Sequence, residues 1–235
     1  MRVLVACEFS GIVRDAFIAR GHDAVSCDFL LSGRPGPHIQ DDVLLHLEDG
    51  WDLMIAFPPC TYLSVSGLHW NKRRPGRAAL TEEALDFVGL LLDAPIKRIA
   101  LENPISCIST RIRKPDQIVQ PWMFGHDASK ATCLWLKRLP KLVPTVSMQR
   151  PVWIPCPDGC DDFVCQRHRM HTADCPCPPL EDWVAAGDDP YYKYYANQTP
   201  SGQNKLGPSP TRAAERSRTY QGIADAMATQ WNNFS

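Results

Sequence analysis

Four short apolar runs within residues 1–104 each stop at a polar or reactive cluster, and this alternation constrains the fold more than any other feature of the chain. Residues 2–7 (RVLVAC) are continuously apolar after the first position, as in a strand buried on both faces of a parallel sheet. Residues 11–20 (GIVRDAFIAR) then carry apolar side chains at helical spacing and end at Gly21. Residues 24–28 (AVSCD) and 52–57 (DLMIAF) read as further strands, the second broken by Pro58 and Pro59. Thr81 is the expected N-cap of a helix with Glu82 and Glu83 in its first turn, running to Asp93 and stopped by Pro95. Residues 96–102 (IKRIALE) and 132–136 (TCLWL) return to strand. Strands alternating with helices predict an α/β open sheet, doubly wound with helices on both faces, and such sheets bind ligands beyond the carboxyl ends of their strands. That rule brings Cys7 to Gly11, Asp28, Phe57 to Cys60, and Glu102 to Pro104 onto one rim.

Three parts are expected along the chain: a catalytic domain over 1–150, a small insert over 151–198, and a connector with a closing helix over 199–235. The insert is rich in Cys, Pro, Asp and His without periodicity, and residues 199–210 (TPSGQNKLGPSP) suit a flexible link. Helical spacing resumes over 212–231, with Ile223, Met227 and Trp231 on one stripe. No apolar run approaches the length of a membrane span, so no membrane partner is expected. Ten cysteines without an export signal point to reduced thiols in a cytoplasm, that of a host cell if the gene is viral. The net charge of −1 hides an acidic start, with 4 basic and 9 acidic residues over 1–60, and a basic middle, with 14 and 7 over 61–150. A positive cleft on a neutral protein suits a partner with a phosphate backbone.

Cys60 follows two prolines at a strand end and precedes residues 61–67 (TYLSVSG), which should form a mobile loop. Glu102 ends what should be a neighbouring strand, where an apolar run has no packing reason to finish in an acid. A thiol and a carboxyl facing one pocket make a nucleophile and general-acid pair.

These residues resemble the DNA (cytosine-5) methyltransferases. In that family a Phe-x-Gly turn after the first strand holds S-adenosylmethionine (SAM), a Pro-Cys motif supplies the nucleophile, and a Glu-Asn-Val motif supplies the acid. Phe9-Ser10-Gly11, Phe57-Pro58-Pro59-Cys60 and Glu102-Asn103-Pro104 match these in order and spacing over roughly residues 1–140. The resemblance implies a SAM-dependent methyltransferase sheet, DNA as partner, and a cofactor site drawn from Glu8, Phe9, Ser10, Gly11, Asp28, Asp42, Phe57 and Pro58. Asp28 would hold the ribose hydroxyls, Asp42 or equally Asp41 the adenine amine, Phe9 the adenine face, and Glu8 the methionine ammonium. Where the family has Gln-x-Arg-x-Arg, this chain has Ala128-Ser129-Lys130-Ala131-Thr132, so Lys130 alone keeps a cation there. Pro104 stands in place of Val, which marks a divergent or minimal member.

Two further segments carry chemistry. Residues 69–77 (HWNKRRPGR) hold four Lys or Arg and an aromatic, a composition fit to grip a nucleic-acid backbone. In the insert, Cys156, Cys160, Cys165, His168, His171, Cys175 and Cys177 offer more ligands than one structural zinc takes. Cys156, Cys160, His171 and Cys175 are favoured, because an x3 pair at each end can close a tetrahedron; the other combinations stay open. Arg167 and Arg169 are candidate DNA contacts. Two rival readings remain: C5 modification of a free pyrimidine nucleotide, or use of a modified SAM donor, and a non-catalytic zinc-bearing DNA-binding protein. The oligomeric state is left open.

Overall fold

The computed structural model describes residues 1–146, Asn197, Leu206, Glu215 and 217–232. Seven strands form one sheet: β1 (Arg2–Ala6), β2 (Asp23–Cys27), β3 (His38–Ile39), β4 (Leu53–Ala56), β5 (Arg98–Pro104), β6 (Gln117–Val119) and β7 (Thr132–Lys137). Their order is β3-β2-β1-β4-β5-β7-β6. Strands β3, β2, β1, β4 and β5 are mutually parallel, whereas β7 runs antiparallel to both β5 and β6. The sheet is therefore of α/β class but mixed rather than uniformly parallel. The chain passes from β6 to β7 through a 3-10 turn at Pro121–Phe124 and Gly125 at φ 84°, with no crossover helix, and such a return permits only antiparallel pairing. The edge strand β3 and the short β6 carry no apolar run in the sequence, and the sequence pattern passes over both.

Helices cover both faces. Val3, Val5, Leu53, Ile55 and Leu134 face α1 (Ile12–Ile18) and the closing helix, here α5 (Gln221–Gln230), and meet Val13, Phe17, Ile223, Met227 and Trp231. Leu4, Met54, Ile99, Leu101 and Trp135 face the other way, onto Leu85, Val88 and Leu91 of α3 (Arg77–Asp93). Residues alternate between faces along each strand, as the period of two requires. The short helices α2 (Val65–Leu68) and α4 (Ile108–Arg111) follow β4 and β5. The expected stripe of Ile223, Met227 and Trp231 is buried against α1.

Four local expectations are corrected. Thr81 does not cap a helix, because α3 starts at Arg77 with Gly76 before it at φ 76°. The Thr81 hydroxyl instead accepts from Asn71 Nδ2 at 2.9 Å and lies 3.0 Å from the Tyr62 carbonyl, to which it donates, fastening the helix to the loop after β4. The predicted helix over 212–231 is interrupted, since residues 218–220 are not helical, Tyr220 is extended, and α5 begins at Gln221. Residues 61–67 are not a loop standing off the surface: Leu63 N–H and Ser64 N–H donate to the Cys60 carbonyl, Val65 N–H to the Ile105 carbonyl, and Cys107 N–H to the Leu63 carbonyl. The predicted start of β5 also moves from Ile96 to Arg98, with Ile96 buried as packing just before the strand.

Candidate active site

β2, β1, β4 and β5 are adjacent and parallel, so their carboxyl ends stand side by side and deliver Asp28, Cys7 to Gly11, Phe57 to Cys60, and Glu102 to one rim. Cys60 is exposed. Glu102 is half-buried on the next strand, and burial raises its carboxyl above the ordinary range, against the Lys130 charge and a hydrogen bond with Thr132 that pull it down. Thr132 reaches Glu102 because it pairs with Pro104 across β5 and β7, two positions along on the same face. Its hydroxyl also lies 3.2 Å from the Lys130 carbonyl.

The nucleophile segment is held from β5. Asn103, 1% exposed, donates from Nδ2 to the Pro58 carbonyl at 2.9 Å. Pro58 is buried and Phe57 half-buried, so the chain is rigid up to the exposed thiol. Beyond it, Arg77 donates to the Thr61 carbonyl at 2.9 Å and lies over the Tyr62 ring at 4.8 Å. Arg74 and Arg73 lie over Trp70 at 4.6 and 5.8 Å, and Lys72, Arg73 and Arg74 are exposed. The segment thus presents Arg73 and Arg74 braced by the Trp70 ring, and Arg77 ties it to the residues that follow Cys60.

The turn after β1 is built around two buried charges. Glu8, 5% exposed, accepts from Ser10 Oγ at 2.9 Å and Val13 N at 2.8 Å through one oxygen, and from Arg14 N at 3.3 Å through the other. Its carboxylate therefore serves the start of α1, and Ser10 Oγ is likewise engaged there, with Ile12 N–H 3.3 Å away. Gly11, at φ 70°, leaves no room for a Cβ, which would stand 2.5 Å from the Arg14 guanidinium. Arg14 is fully buried and holds Asp15, the hydroxyls of Ser26 and Ser32, and the carbonyls of Arg34 and Pro35. It thereby ties the segment after β2 to α1. The signal in the sequence is the place of Arg14 among Val13, Ala16 and Phe17 on an apolar helix face.

Carboxylates dominate the rim on the β2 side. Asp28 is half-buried and accepts from Leu30 N–H at 2.9 Å, and Phe29, 71% exposed, follows it. Asp42 is half-buried and caps the 3-10 turn Val43–His46 through one oxygen. Asp41 is exposed, and its carboxyl is held below the usual range first by the Asp42 N–H and then by His46, with which it pairs at 3.3 Å. Cys7, at φ 58°, reports the local field: its thiol is pushed up to about 12 by burial first, then by Asp28, Cys27 and Asp42. Phe9 is partly exposed at the same turn. Two acids around a neutral thiol, with the Arg14 cation turned inward, fit a positively charged, hydroxyl-bearing cofactor such as SAM and oppose a phosphate.

Cys156, Cys160, His171 and Cys175 lie outside the described residues, as do Arg167 and Arg169. Among the described residues no cluster of His, Cys, Asp or Glu could hold a metal ion, and no helix is long and apolar enough to cross a membrane.

No family model and no curated protein matches the chain. Among solved structures it is similar to an Escherichia coli protein encoded within a prophage and described as a candidate DNA modification methyltransferase. The identity is 17% and the TM-score 0.37, covering 74% of this chain. The chain spans 56% of that protein's length.

Proposed function

We propose that the protein transfers a methyl group from SAM to C5 of cytosine in DNA. The observation that supports this reading most is the exposed Cys60 thiol, four residues past the end of β4, and the half-buried Glu102 carboxyl, two residues before the end of the adjacent parallel β5, with the acids Asp28 and Asp42 farther along the same rim. Asp28 would hold the ribose hydroxyls, Asp42 the adenine amine, and Phe9, Ser10, Gly11, Phe57 and Pro58 the walls; Asp41, committed to His46, is the weaker candidate for the adenine. Glu8 would act through the turn it braces. SAM, when bound, supplies a methyl group activated by its sulfonium.

Cytosine C5 is too weak a nucleophile to take that methyl unaided. The Cys60 thiolate adds to C6 of the ring, a proton carried by Glu102 meets the charge developing at N3, and C5 becomes enamine-like and accepts the methyl. With the donor sulfur left as a neutral thioether, loss of the C5 proton to water expels the thiolate, and return of the N3 proton to the Glu102 carboxylate restores the ring. Lys130 stands near enough to bias the Glu102 proton. In a duplex the base must leave the stack to reach both groups, and the exposed Lys72, Arg73 and Arg74 would hold the backbone while it does. A structural zinc on Cys156, Cys160, His171 and Cys175 belongs to the same reading.

The deciding experiment supplies duplex DNA and methyl-labelled SAM, then digests to nucleosides. Labelled 5-methylcytosine with wild type and none with Cys60→Ala is expected. Label in another base, or in Cys60→Ala at the wild-type level, overturns the reading. Label in added deoxycytidine nucleotide but not in DNA moves the substrate to a free nucleotide.

A further inference from the structure

We propose that Asn197, acting with Gln120, is a positioning residue that anchors the main chain on both sides of the Ser129–Lys130 peptide and so fixes where the Lys130 ammonium stands relative to Glu102. Asn197 lies 68 residues beyond Ser129 and closes a two-bond bridge on it: Ser129 N–H donates to Oδ1 at 3.0 Å, and Nδ2 donates to the Ser129 carbonyl at 2.9 Å. The same amide reaches the Tyr220 hydroxyl at 3.4 Å. Gln120 Oε1 accepts the next N–H, that of Lys130, at 2.9 Å.

This stretch needs such anchors because β7 begins only at Thr132, so no ladder holds the residues before it. A side-chain amide that both accepts from and donates to one residue replaces the missing strand neighbour. The surroundings brace the bridge. Tyr220 packs against His126 with ring centroids 5.2 Å apart and planes tilted by 58°, and His126 Nε2 accepts Gly222 N–H at 2.8 Å.

Lysine carries a point charge on a flexible four-carbon stem, and its effect on a neighbouring carboxyl falls with distance. No direct ion pair joins Lys130 and Glu102 among the described residues, so the ammonium acts through space, and an anchored backbone limits the range over which its stem can carry the charge. The groups acting on Glu102 are Lys130 and the Thr132 hydroxyl from the β7 side; Cys133, opposite Asn103 in the register, is a neutral thiol raised by burial and by Glu102 itself.

The inference rests on the proposed role of Glu102 only for its effect on turnover, and its test does not require turnover. The Glu102 carboxyl is titrated by carbon NMR in the full chain without substrate, with Glu102→Gln assigning the signal. Lys130→Met should move the titration upward, and Asn197→Ala should move it the same way by a smaller step. On the Lys130→Met background Asn197→Ala should add nothing, because its effect passes through that lysine. Gln120→Met should repeat the pattern, and carries the test if Asn197→Ala does not fold. An unchanged Glu102 titration in the folded Asn197 or Gln120 variant, or a shift of equal size with Lys130 absent, overturns the proposal. If the titrations behave as expected while wild type methylates nothing, the positioning role stands and the methyltransferase reading falls.

Discussion

Asn103 Nδ2 donates to the Pro58 carbonyl at 2.9 Å, so one buried amide on β5 holds the segment that ends in Cys60 beside the strand that carries Glu102. Asn103→Leu keeps the volume and removes the donor, leaving a buried carbonyl without it. The expected cost is about 1–3 kcal/mol of stability. Turnover should fall further, roughly 10²-fold, because a thiol displaced by an ångström loses its line of attack. Denaturant midpoints and single-turnover methylation measure the two effects, and lost stability with unchanged turnover would show that Asn103 does not aim the thiol.

Glu102 gives stability a pH dependence of known sign. Its folded carboxyl is raised above the unfolded value by burial, so its favourable contribution is complete below the unfolded value and disappears as pH rises through the folded one. Glu102→Gln carries no ionisable proton and should gain on wild type across that rise. Denaturant midpoints at stepped pH read the difference; a gap that stays constant, or closes with rising pH, contradicts the assignment.

Gly222 lets α5 dock. A Cβ there would stand 2.0 Å from the Phe124 carbonyl oxygen, which is main chain and cannot swing aside. Gly222→Ala should destabilise by about 1–3 kcal/mol or more as α5 is forced off the Pro121–Phe124 turn. Gly89, inside α3, is the matched control, since a Cβ at that position would meet nothing within 4 Å. There alanine should stabilise by roughly 0.5–1 kcal/mol through helix propensity. Thermal melts of the two variants should therefore move in opposite directions.

DNA affinity should depend on salt through the loop after Cys60. Replacing Lys72, Arg73 and Arg74 together by alanine should flatten the slope of log affinity against log salt by about 0.9 for each phosphate that is no longer neutralised. Fluorescence anisotropy at several salt concentrations measures it, and an unchanged slope places the DNA elsewhere.

Zinc content tests the insert. Purified protein should carry stoichiometric zinc by elemental analysis, and Cys156→Ser or His171→Ala should lower it; wild type without zinc removes the metal from the reading.

The sheet strands β1, β2, β4, β5 and β7 are legible in the sequence because their apolar runs, though short, are nearly unbroken and stop at prolines, charged residues or reactive clusters. The same runs locate Cys60 and Glu102, since reactive side chains at strand ends stand out against apolar neighbours. β3 and β6 escape such a reading because two or three residues leave no pattern. Thr81 reads as a cap because its type and following glutamates suit that place, yet a contact with Tyr62, nineteen positions away, decides its role. Glu8 reads as a ligand for the cofactor's ammonium, whereas its partners are Ser10 Oγ and the main-chain N–H groups of Val13 and Arg14, and the buried Arg14 reaches Ser26 and Ser32, twelve and eighteen positions away, which no spacing rule connects. Asn197 lies in a stretch without periodicity or motif, so nothing local marks it.

By itself the sequence determined which segments are buried and which chemical groups stop at their ends, because burial on a strand or helix face is written in local periodicity. The tertiary structure alone decided that β7 lies reversed between β5 and β6, that Asn103 seizes Pro58, and that Asn197 closes on Ser129. Those outcomes depend on which distant loops can close without straining the sheet and on which buried polar groups would otherwise lack partners, and neither condition leaves a mark on neighbouring residues.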